Sequence, residues 1–292
     1  MPESVIADFV AKFNSDRTAS ADPVKGRILL SEKRLVLAVN DNDKLTIPLS
    51  SIFDVAVGHV PDELDGFFAS TVTVAFQQQD RQFVAVVEAP DEKIGKFSTL
   101  LFKALLNGTD STIKHPARVG GRVTDSAFVP AKLFLKPKCV EFRNDRGTTG
   151  IRLASVTEFS RSDREIAGAT RPVLEVRHMP QGEAMLTMAA TNSGRKMGLL
   201  GRYLRLEYSD LLNELDEISV SNDEKEILVA IYSGAGQEGI SVPQIVDKAP
   251  SKATIMLNRL EDDELVVDSA EGTKLTPKGQ VVVNNHLEDV NE

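Results

Sequence analysis

The chain has 292 residues, a net charge of −9 and 41% hydrophobic residues, enough for two or three domains with buried cores. No run approaches the roughly 18 uninterrupted apolar residues of a membrane-spanning helix, so the sequence predicts no direct membrane insertion. The single cysteine excludes an internal disulfide and favours a reducing, cytoplasmic compartment.

The first predicted element is a short amphipathic helix over residues 4–13. Its apolar residues are Val5, Ile6, Phe9, Val10 and Phe13, and this spacing places them on one helical face. A helix this short is unstable alone. We therefore expect it to pack on the next domain and to help form a homodimer.

The next two hundred residues contain a sequence repeat. Residues 47–55 (IPLSSIFDV) recur as residues 151–159 (IRLASVTEF). An alternating strand pair and a polar turn precede each copy, and a second strand pair and an apolar helix follow it. The offset of roughly 100 residues suits a duplicated domain. Several antiparallel strands closed by one helix are typical of a pleckstrin-homology-like sandwich, which is the fold predicted for each copy.

The last quarter of the chain predicts a winged helix. Ser221 and Glu224 form a capping box for a first helix, residues 241–246 predict a short second helix, and Pro250 opens a third. A hairpin over residues 265–276 and a helix from Pro277 to about Leu287 complete the pattern. The predicted class is α+β, with an N-terminal helix and first sandwich in residues 1–110, a second sandwich in 111–218 and the winged helix in 219–292.

The negative charge is concentrated in this last domain. Residues 219–292 hold six Lys/Arg and 14 Asp/Glu, whereas the rest of the chain is nearly neutral. A winged helix that binds DNA needs cations facing phosphates. Here Lys252 and Arg259 on the third helix run into the acidic residues 261–264. The charge therefore disfavours nucleic acid and favours docking of a protein.

The sequence offers little for catalysis. The histidines at positions 59, 115, 178 and 286 are widely separated and belong to no catalytic or metal-binding motif. No nucleotide-binding fingerprint is present. We expect no enzyme activity, no metal and no cofactor.

Two basic groups remain in the repeats. The first is Lys25, Arg27, Lys33 and Arg34, a position that could bind lipid headgroups, although Glu32 interrupts it. The second group borders the second closing helix and consists of Arg195, Lys196, Arg202 and Arg205. It could meet an acidic partner, or it could simply be a solvated helix face.

The chain resembles the CheF family of archaeal taxis adaptors, especially its haloarchaeal members. The resemblance covers essentially the whole chain. It rests on the opening residues 3–10 (ESVIADFV), the paired repeat, residues 195–203 (RKMGLLGRY) and residues 275–279 (LTPKG). No short diagnostic motif carries this resemblance.

The resemblance implies a non-enzymatic adaptor at the cytoplasmic face of the archaellum motor. Such a protein would bind phosphorylated CheY and the motor's switch proteins, and it would dimerise through its N-terminal region. The residues that we expect to meet CheY are Lys252, Met256, Arg259, Glu261, Asp262 and Asp263. The basic group at Arg195, Lys196, Arg202 and Arg205 is the candidate motor contact. The alternative is a winged-helix transcription regulator with a tandem sensory β-region, which the charge disfavours.

Overall fold

The structure, a computed structural model, describes residues 3–17, 22–58, 70–216, 218–234, 242, 246, 249–269 and 272–291. Within these ranges the protein is α+β, with mostly antiparallel strands and few helices. The predicted class is therefore confirmed at this level.

The first repeat is a seven-stranded antiparallel sheet followed by a helix. Its elements are β1 (Val5–Ser15), β2 (Val24–Ser31), β3 (Arg34–Ala38), β4 (Lys44–Pro48), β5 (Ile52–Val57), β6 (Thr71–Gln78), β7 (Arg81–Glu88) and α1 (Asp91–Leu106). The sheet order is β4-β3-β2-β1-β7-β6-β5. Alternation explains the strands: along β6, Val72, Val74 and Phe76 are buried and the residues between them are half-buried.

The second repeat follows the same plan. Its elements are β8 (Thr109–Val119), β9 (Arg122–Val123), β10 (Val129–Lys136), β11 (Cys139–Asn144), β12 (Gly147–Arg152), β13 (Val156–Ile166), β14 (Ala169–His178), β15 (Met185–Thr191) and α2 (Gly194–Asp216). The sheet order is β12-β11-β10-β8-β15-β14-β13, with the short β9 paired to β8.

The two sheets match strand for strand and also share an irregularity. In the first repeat the pairing of β5 with β6 shifts register between Ile52 and Asp54. In the second repeat the pairing of β13 with β14 shifts between Val156 and Glu158. A bulge at the same place in both sheets supports the duplication predicted from residues 47–55 and 151–159.

The closing helices lie between the repeats. Helix α1 packs against β10 of the second repeat as well as its own sheet, and α2 packs against β5 of the first. Phe102 on α1 and Tyr203 on α2 have ring centroids 5.6 Å apart. Most of the buried hydrophobic residues of both repeats form one continuous cluster. The two repeats therefore share a core.

The predicted N-terminal helix is wrong. Residues 5–15 form β1, which pairs with β2 on one side and with β7 on the other. Phe13 is fully buried and Ala11 nearly so, whereas Val5 and Val10 are 57% and 53% exposed. Phe9 and Phe13 are four residues apart, a spacing that places them on one side of either a helix or a strand. Residues 5–15 nevertheless form a strand, because they pair with β2 on one edge and with β7 on the other in the centre of the sheet.

The C-terminal region has a separate hydrophobic cluster. Its described elements are α3 (Asn222–Tyr232), α4 (Pro250–Asp262), β16 (Val266–Ser269), β17 (Gly272–Leu275) and α5 (Pro277–Asn291). The capping box is confirmed, because the Ser221 backbone N–H donates to Glu224 Oε2 at 2.8 Å. The hairpin is also confirmed, and the last helix runs past Leu287 to Asn291. The predicted short helix over residues 241–246 falls largely outside the described residues.

Helix α2 joins the two hydrophobic clusters. Its N-terminal half, including Leu199 and Tyr203, belongs to the core of the repeats. Near its C-terminal end Leu215 is buried in the C-terminal cluster. No helix in the described part of the chain has both the length and the apolar character needed to cross a membrane.

Candidate partner-docking surfaces

Helix α4 is the centre of the acidic region. Pro250 occupies its first turn, where the missing N–H costs nothing. Ala253, Met256 and Leu260 recur at helical spacing and are buried against the C-terminal core. The orientation of α4 is therefore fixed by this apolar stripe.

The two cations of α4 are held inside the domain. Lys252 Nζ lies 2.6 Å from Asp223 Oδ2 on α3. Arg259 lies 3.4 Å from Glu224 Oε1 and donates to the Ser219 carbonyl at 3.0 Å. Both predicted contact residues therefore stabilise the packing of α4 on α3. Neither leaves an unpaired cation for a phosphate backbone.

The outward face of α4 combines an apolar side chain with carboxylates. Ile255 is 69% exposed, and Glu261 and Asp262 are exposed at the end of the helix. Ile255 and Asp262 are two helical turns apart, about 10 Å along one face. Acidic side chains at a helix C-terminus are opposed by the helix dipole. Stability of α4 therefore does not explain Glu261 and Asp262.

The neighbouring carboxylates are engaged within the domain. Asp263 Oδ2 is 4.0 Å from Arg259 Nε. Glu264 Oε2 is 2.7 Å from Lys278 Nζ, and this hydrogen bond lowers the pKa of the Glu264 carboxyl. Among the acidic residues 261–264, Glu261 and Asp262 are thus the ones without a partner in the described residues.

Met256 is buried, whereas the predicted contact with a partner requires it to be exposed. The hypothesis assigned Met256 a partner contact, whereas the structure leaves only 8% of it exposed. Ile255, the preceding residue, is the exposed apolar residue, with 69% of it exposed. Adjacent helical residues point about 100° apart, so shifting the apolar stripe by one residue exchanges their roles. Ala253, three residues before Met256, is the signal that could have fixed the stripe.

The second basic group lies at the contact between the repeats. Arg195 donates to the Ser50 carbonyl, and Lys196 donates to the Leu105 carbonyl. Burial, followed by the neighbouring Arg195, lowers the pKa of the Lys196 ammonium.

Arg202 and Arg205 extend this basic group along α2. Arg202 forms a bidentate pair with Asp54 on β5, with both N–O distances at 3.0 Å. Arg205 is exposed and has no partner among the described residues. Of the four predicted motor contacts, three therefore join the repeats, and Arg205 alone is available to another molecule.

The first basic group is partly neutralised within the first repeat. Arg27 forms a bidentate pair with Asp8, with the shorter distance at 2.6 Å. Arg34 lies 2.7 Å from Glu3. These pairs connect β2 and β3 to the N-terminal strand region and weaken the case for a lipid site.

A polar trio is buried in the second repeat. His115 Nδ1 and His178 Nε2 lie 2.7 and 2.8 Å from the Thr187 hydroxyl, and the two rings stack. Burial and then His115 lower the pKa of His178 to about 4, and burial also lowers the pKa of His115. One Thr hydroxyl can donate to one ring and accept from the other. The trio is therefore a satisfied network of neutral groups.

The single cysteine lies in an environment that disfavours its reactive form. Cys139 begins β11, and burial followed by Glu141 raises the pKa of its thiol, which disfavours the reactive thiolate. Within the described ranges no group of three His, Cys, Asp or Glu side chains could hold a metal ion. His59 lies outside the described residues.

Comparison with known proteins places the chain in a family. A family model described as archaeal chemotaxis signal transduction system protein F matches residues 5–210, which span both repeats and most of α2. The chain is 44% identical over 291 residues to the taxis protein CheF2 of Halobacterium salinarum, covering 100% of both chains. It is 25% identical over 282 residues to the taxis protein CheF1 of the same organism, covering 94% of each. The chain therefore belongs to the CheF family of archaeal chemotaxis signal-transduction proteins.

Proposed function

We propose that this protein is a non-enzymatic adaptor that binds phosphorylated CheY and the cytoplasmic switch proteins of the archaellum motor. Its place is the cytoplasmic face of that motor, where it conveys the signal that switches rotation. The fold assignment behind this proposal is two pleckstrin-homology-like repeats and a winged helix. The matching strand orders, the closing helices and the helix–hairpin–helix order of the C-terminal region support that assignment.

The observation that carries the CheY contact is the outward face of α4. Ile255 is exposed on the same helical face as Asp262, with the exposed Glu261 on the neighbouring face, while the cations of the helix are paired within the C-terminal region. An apolar anchor supplies affinity, and surrounding carboxylates speed the encounter with a cationic partner. This assignment keeps the acidic part of the predicted site, with Glu261, Asp262 and Asp263, and replaces Met256 by Ile255.

Binding of phosphorylated and unphosphorylated CheY to the full chain tests the contact. We expect Ile255→Ala to weaken binding of phosphorylated CheY about fivefold to thirtyfold, mainly through faster dissociation. Asp262→Lys is expected to slow association at low salt, and high salt should mask the difference.

The matched control for the charge reversal is Glu32→Lys. Glu32 is exposed in the first repeat, and its reversal changes the net charge equally. If Asp262→Lys and Glu32→Lys slow association to the same extent, net charge is responsible and the α4 contact is refuted. Folded Ile255→Ala protein that binds at the wild-type rate and affinity would refute it as well.

The DNA-binding alternative makes a different prediction for the same helix. It requires Lys252 and Arg259 to face phosphates, yet both are committed to ion pairs with α3. Wild-type protein should therefore show no salt-dependent binding to duplex DNA in a gel-shift or anisotropy titration. Specific binding at physiological salt would favour the transcription-regulator alternative.

The homodimer is also part of the proposal. Its support is β1, which exposes Val5 and Val10 on its outward side. A two-fold axis would pair this patch with itself in a second copy. Wild-type protein should have a dimer mass by light scattering, and Val10→Lys should halve it. A monomeric wild type, or a dimeric variant, would contradict this contact.

A further inference from the structure

A groove runs along the side of α2 that faces β13 and β14. It encloses about 560 Å³. Its apolar walls come from the helix and from both strands, and they consist of Phe159, Leu174, Met197, Leu204, Tyr208 and Leu212. We call it the α2 groove. It is separate from the acidic face of α4 described above.

The walls of the α2 groove are preformed. Phe159 and Tyr208 meet edge to face with ring centroids 5.1 Å apart. Leu174, Met197 and Leu204 are buried members of the main hydrophobic cluster. Burial and then Glu158 raise the pKa of Tyr208 to about 12, so its hydroxyl stays a neutral hydrogen-bond group. An occupant would therefore meet an ordered apolar surface without having to create it.

The charged side chains that line the α2 groove are arginines, whereas Glu158 near Tyr208 and Asp54 beside Arg202 lie outside its lining. Arg161 and Arg205 line it, are exposed and have no partner among the described residues. Arg202 also lines it but is held by Asp54. None of the described residues that line the groove is acidic. The complementary occupant carries apolar side chains with carboxylates beside them.

Two glycines open the helical side of the α2 groove. Gly198 and Gly201 are exposed inside α2, and a Cβ atom placed on either would meet nothing within 4 Å. Glycine is a poor helix former, and the packing of this chain gives no reason for it at either position. A bare backbone beside an apolar groove allows another chain to approach α2 closely.

We propose that the α2 groove binds an acidic amphipathic helix of the motor-side partner. Apolar residues of that helix at i, i+3 or i+4 and i+7 would enter the groove, and its carboxylates would pair with Arg161 and Arg205. The identity of the partner rests on the proposed function. The chemistry of the bound helix is inferred from the residues that line the groove and does not depend on the proposed function. Two partners then use surfaces of opposite charge on one adaptor.

The test measures binding of purified archaellum switch proteins and of phosphorylated CheY to the full chain. Gly201→Leu fills the α2 groove and should weaken binding of the switch proteins at least tenfold, while CheY binding stays unchanged. Arg205→Glu should weaken it about tenfold at low salt and less at high salt. Gly95→Leu is the matched control, because Gly95 is a helix-interior glycine in α1 with equally open surroundings that does not line the groove.

The outcomes separate this inference from the proposed function. If wild-type protein binds neither partner, the proposed function itself fails. If it binds the switch proteins and Gly201→Leu and Arg205→Glu leave that binding intact, the groove assignment is overturned. If Gly201→Leu instead dissociates a homodimer seen by light scattering, a second copy occupies the groove and the assignment to a motor partner is wrong. Circular dichroism of each variant confirms that α2 remains folded.

Discussion

The two repeats share a topology but fill it differently. In the first, Ala11 of β1 pairs with Gly26 of β2, and the fully buried Phe13 lies beside this glycine. A Cβ atom on Gly26 would approach the Ala38 carbonyl oxygen to 2.3 Å and the Phe13 ring to 2.7 Å. At the matching place of the second repeat, Ile113 and Ala131 replace Phe13 and Gly26. Relative to the first repeat, the second repeat thus has a smaller side chain on β8 and a larger one on β10.

The second difference lies beside the shared bulge. Ile52 is paired with Phe76 in the first repeat, and the matching Val156 is paired with His178 in the second. Phe76 is part of an apolar core, whereas His178 belongs to the hydrogen-bonded trio with His115 and Thr187.

The two repeats therefore agree more closely in strand order and in the positions of bulges than in side-chain volume or polarity. A sheet register tolerates paired changes of size, and it accepts buried polar groups once their hydrogen bonds are satisfied. The polar trio adjoins a cavity of about 160 Å³ lined by residues of the second repeat together with Tyr232, Gln280 and Asn284 of the C-terminal region. The difference at His178 therefore lies where the second repeat adjoins the C-terminal region.

The largest expected effect on stability comes from removing the contact through which the repeats share a core. Phe102 is 1% exposed and packs against Tyr203. We expect Phe102→Ala to lower the free energy of unfolding by about 3–5 kcal/mol. Because the core is continuous, both repeats should lose stability together. Urea unfolding followed by circular dichroism, with hydrogen exchange to resolve each repeat, measures this. Lys96→Ala on the exposed side of α1 is the control. Loss confined to the first repeat would show two independent units.

A reciprocal exchange tests the difference in packing. Gly26→Ala should lower the free energy of unfolding by about 1–3 kcal/mol, because the Ala38 carbonyl is backbone and cannot move aside freely. Ala131→Gly should cost less, roughly 0.5–1 kcal/mol, since it only adds backbone freedom. Adding Phe13→Ile to Gly26→Ala should recover part of the loss. Equal costs for the two single variants in denaturant melts would contradict this explanation.

The polar trio of the second repeat predicts a pH dependence of the free energy of unfolding. The pKa of His178 falls from its ordinary value of 6.5 to about 4 in the folded protein. Between these values the unfolded chain binds more protons. This contribution to stability is therefore complete above pH 6.5 and is lost as the pH falls towards 4, by up to about 1.4 kcal/mol per pH unit. The cations Arg118 and Arg177 line the adjoining cavity and do not favour protonation.

His178→Phe, which introduces the residue of the first repeat, isolates that contribution. It should flatten the dependence of the unfolding midpoint on pH between 6.5 and 4. His286→Gln on α5 is the control and should leave the slope unchanged. An identical slope in His178→Phe and wild-type protein would mean that the trio does not control stability in this range.

The smallest predicted effect concerns the ion pair between the repeats. Arg202 and Asp54 are 47% and 37% exposed, so solvent screens them despite their bidentate geometry. A double-mutant cycle with Arg202→Ala and Asp54→Ala should give a coupling energy of about 0.5 kcal/mol, decreasing with salt. A coupling of several kcal/mol would show that this pair, rather than the apolar core, holds the repeats together.

Particular residues show how far the sequence leads. The repeat, the capping box at Ser221 and the hairpin after α4 follow from local patterns, and the structure agrees. The strand β1 does not follow from its local pattern, because Phe9 and Phe13 are four residues apart, which places them on one side of either a helix or a strand. Only pairing with β2 and β7, which are distant in sequence, separates the two.

The sequence predicts the charge of the proposed docking surface on α4 but not its geometry. The acidic residues near the end of α4 are evident from composition. Whether Ile255 is exposed depends on which side of α4 faces the core. A rotation of the helix by one residue, about 100°, exchanges the positions of Ile255 and Met256. The α2 groove escaped prediction because its walls, Phe159 and Leu174 on strands and Leu204 on α2, come from distant segments. The buried trio escaped for the same reason.

The continuity of α2 has a mechanical consequence. One helix of 23 residues starts in the core of the repeats and ends in the C-terminal cluster. Such a helix is about 35 Å long and resists bending between its two anchored ends. A tilt of about 10° against the first repeat displaces its far end by roughly 6 Å. A small movement of α2 at the repeat interface would therefore become a large displacement of the acidic C-terminal region.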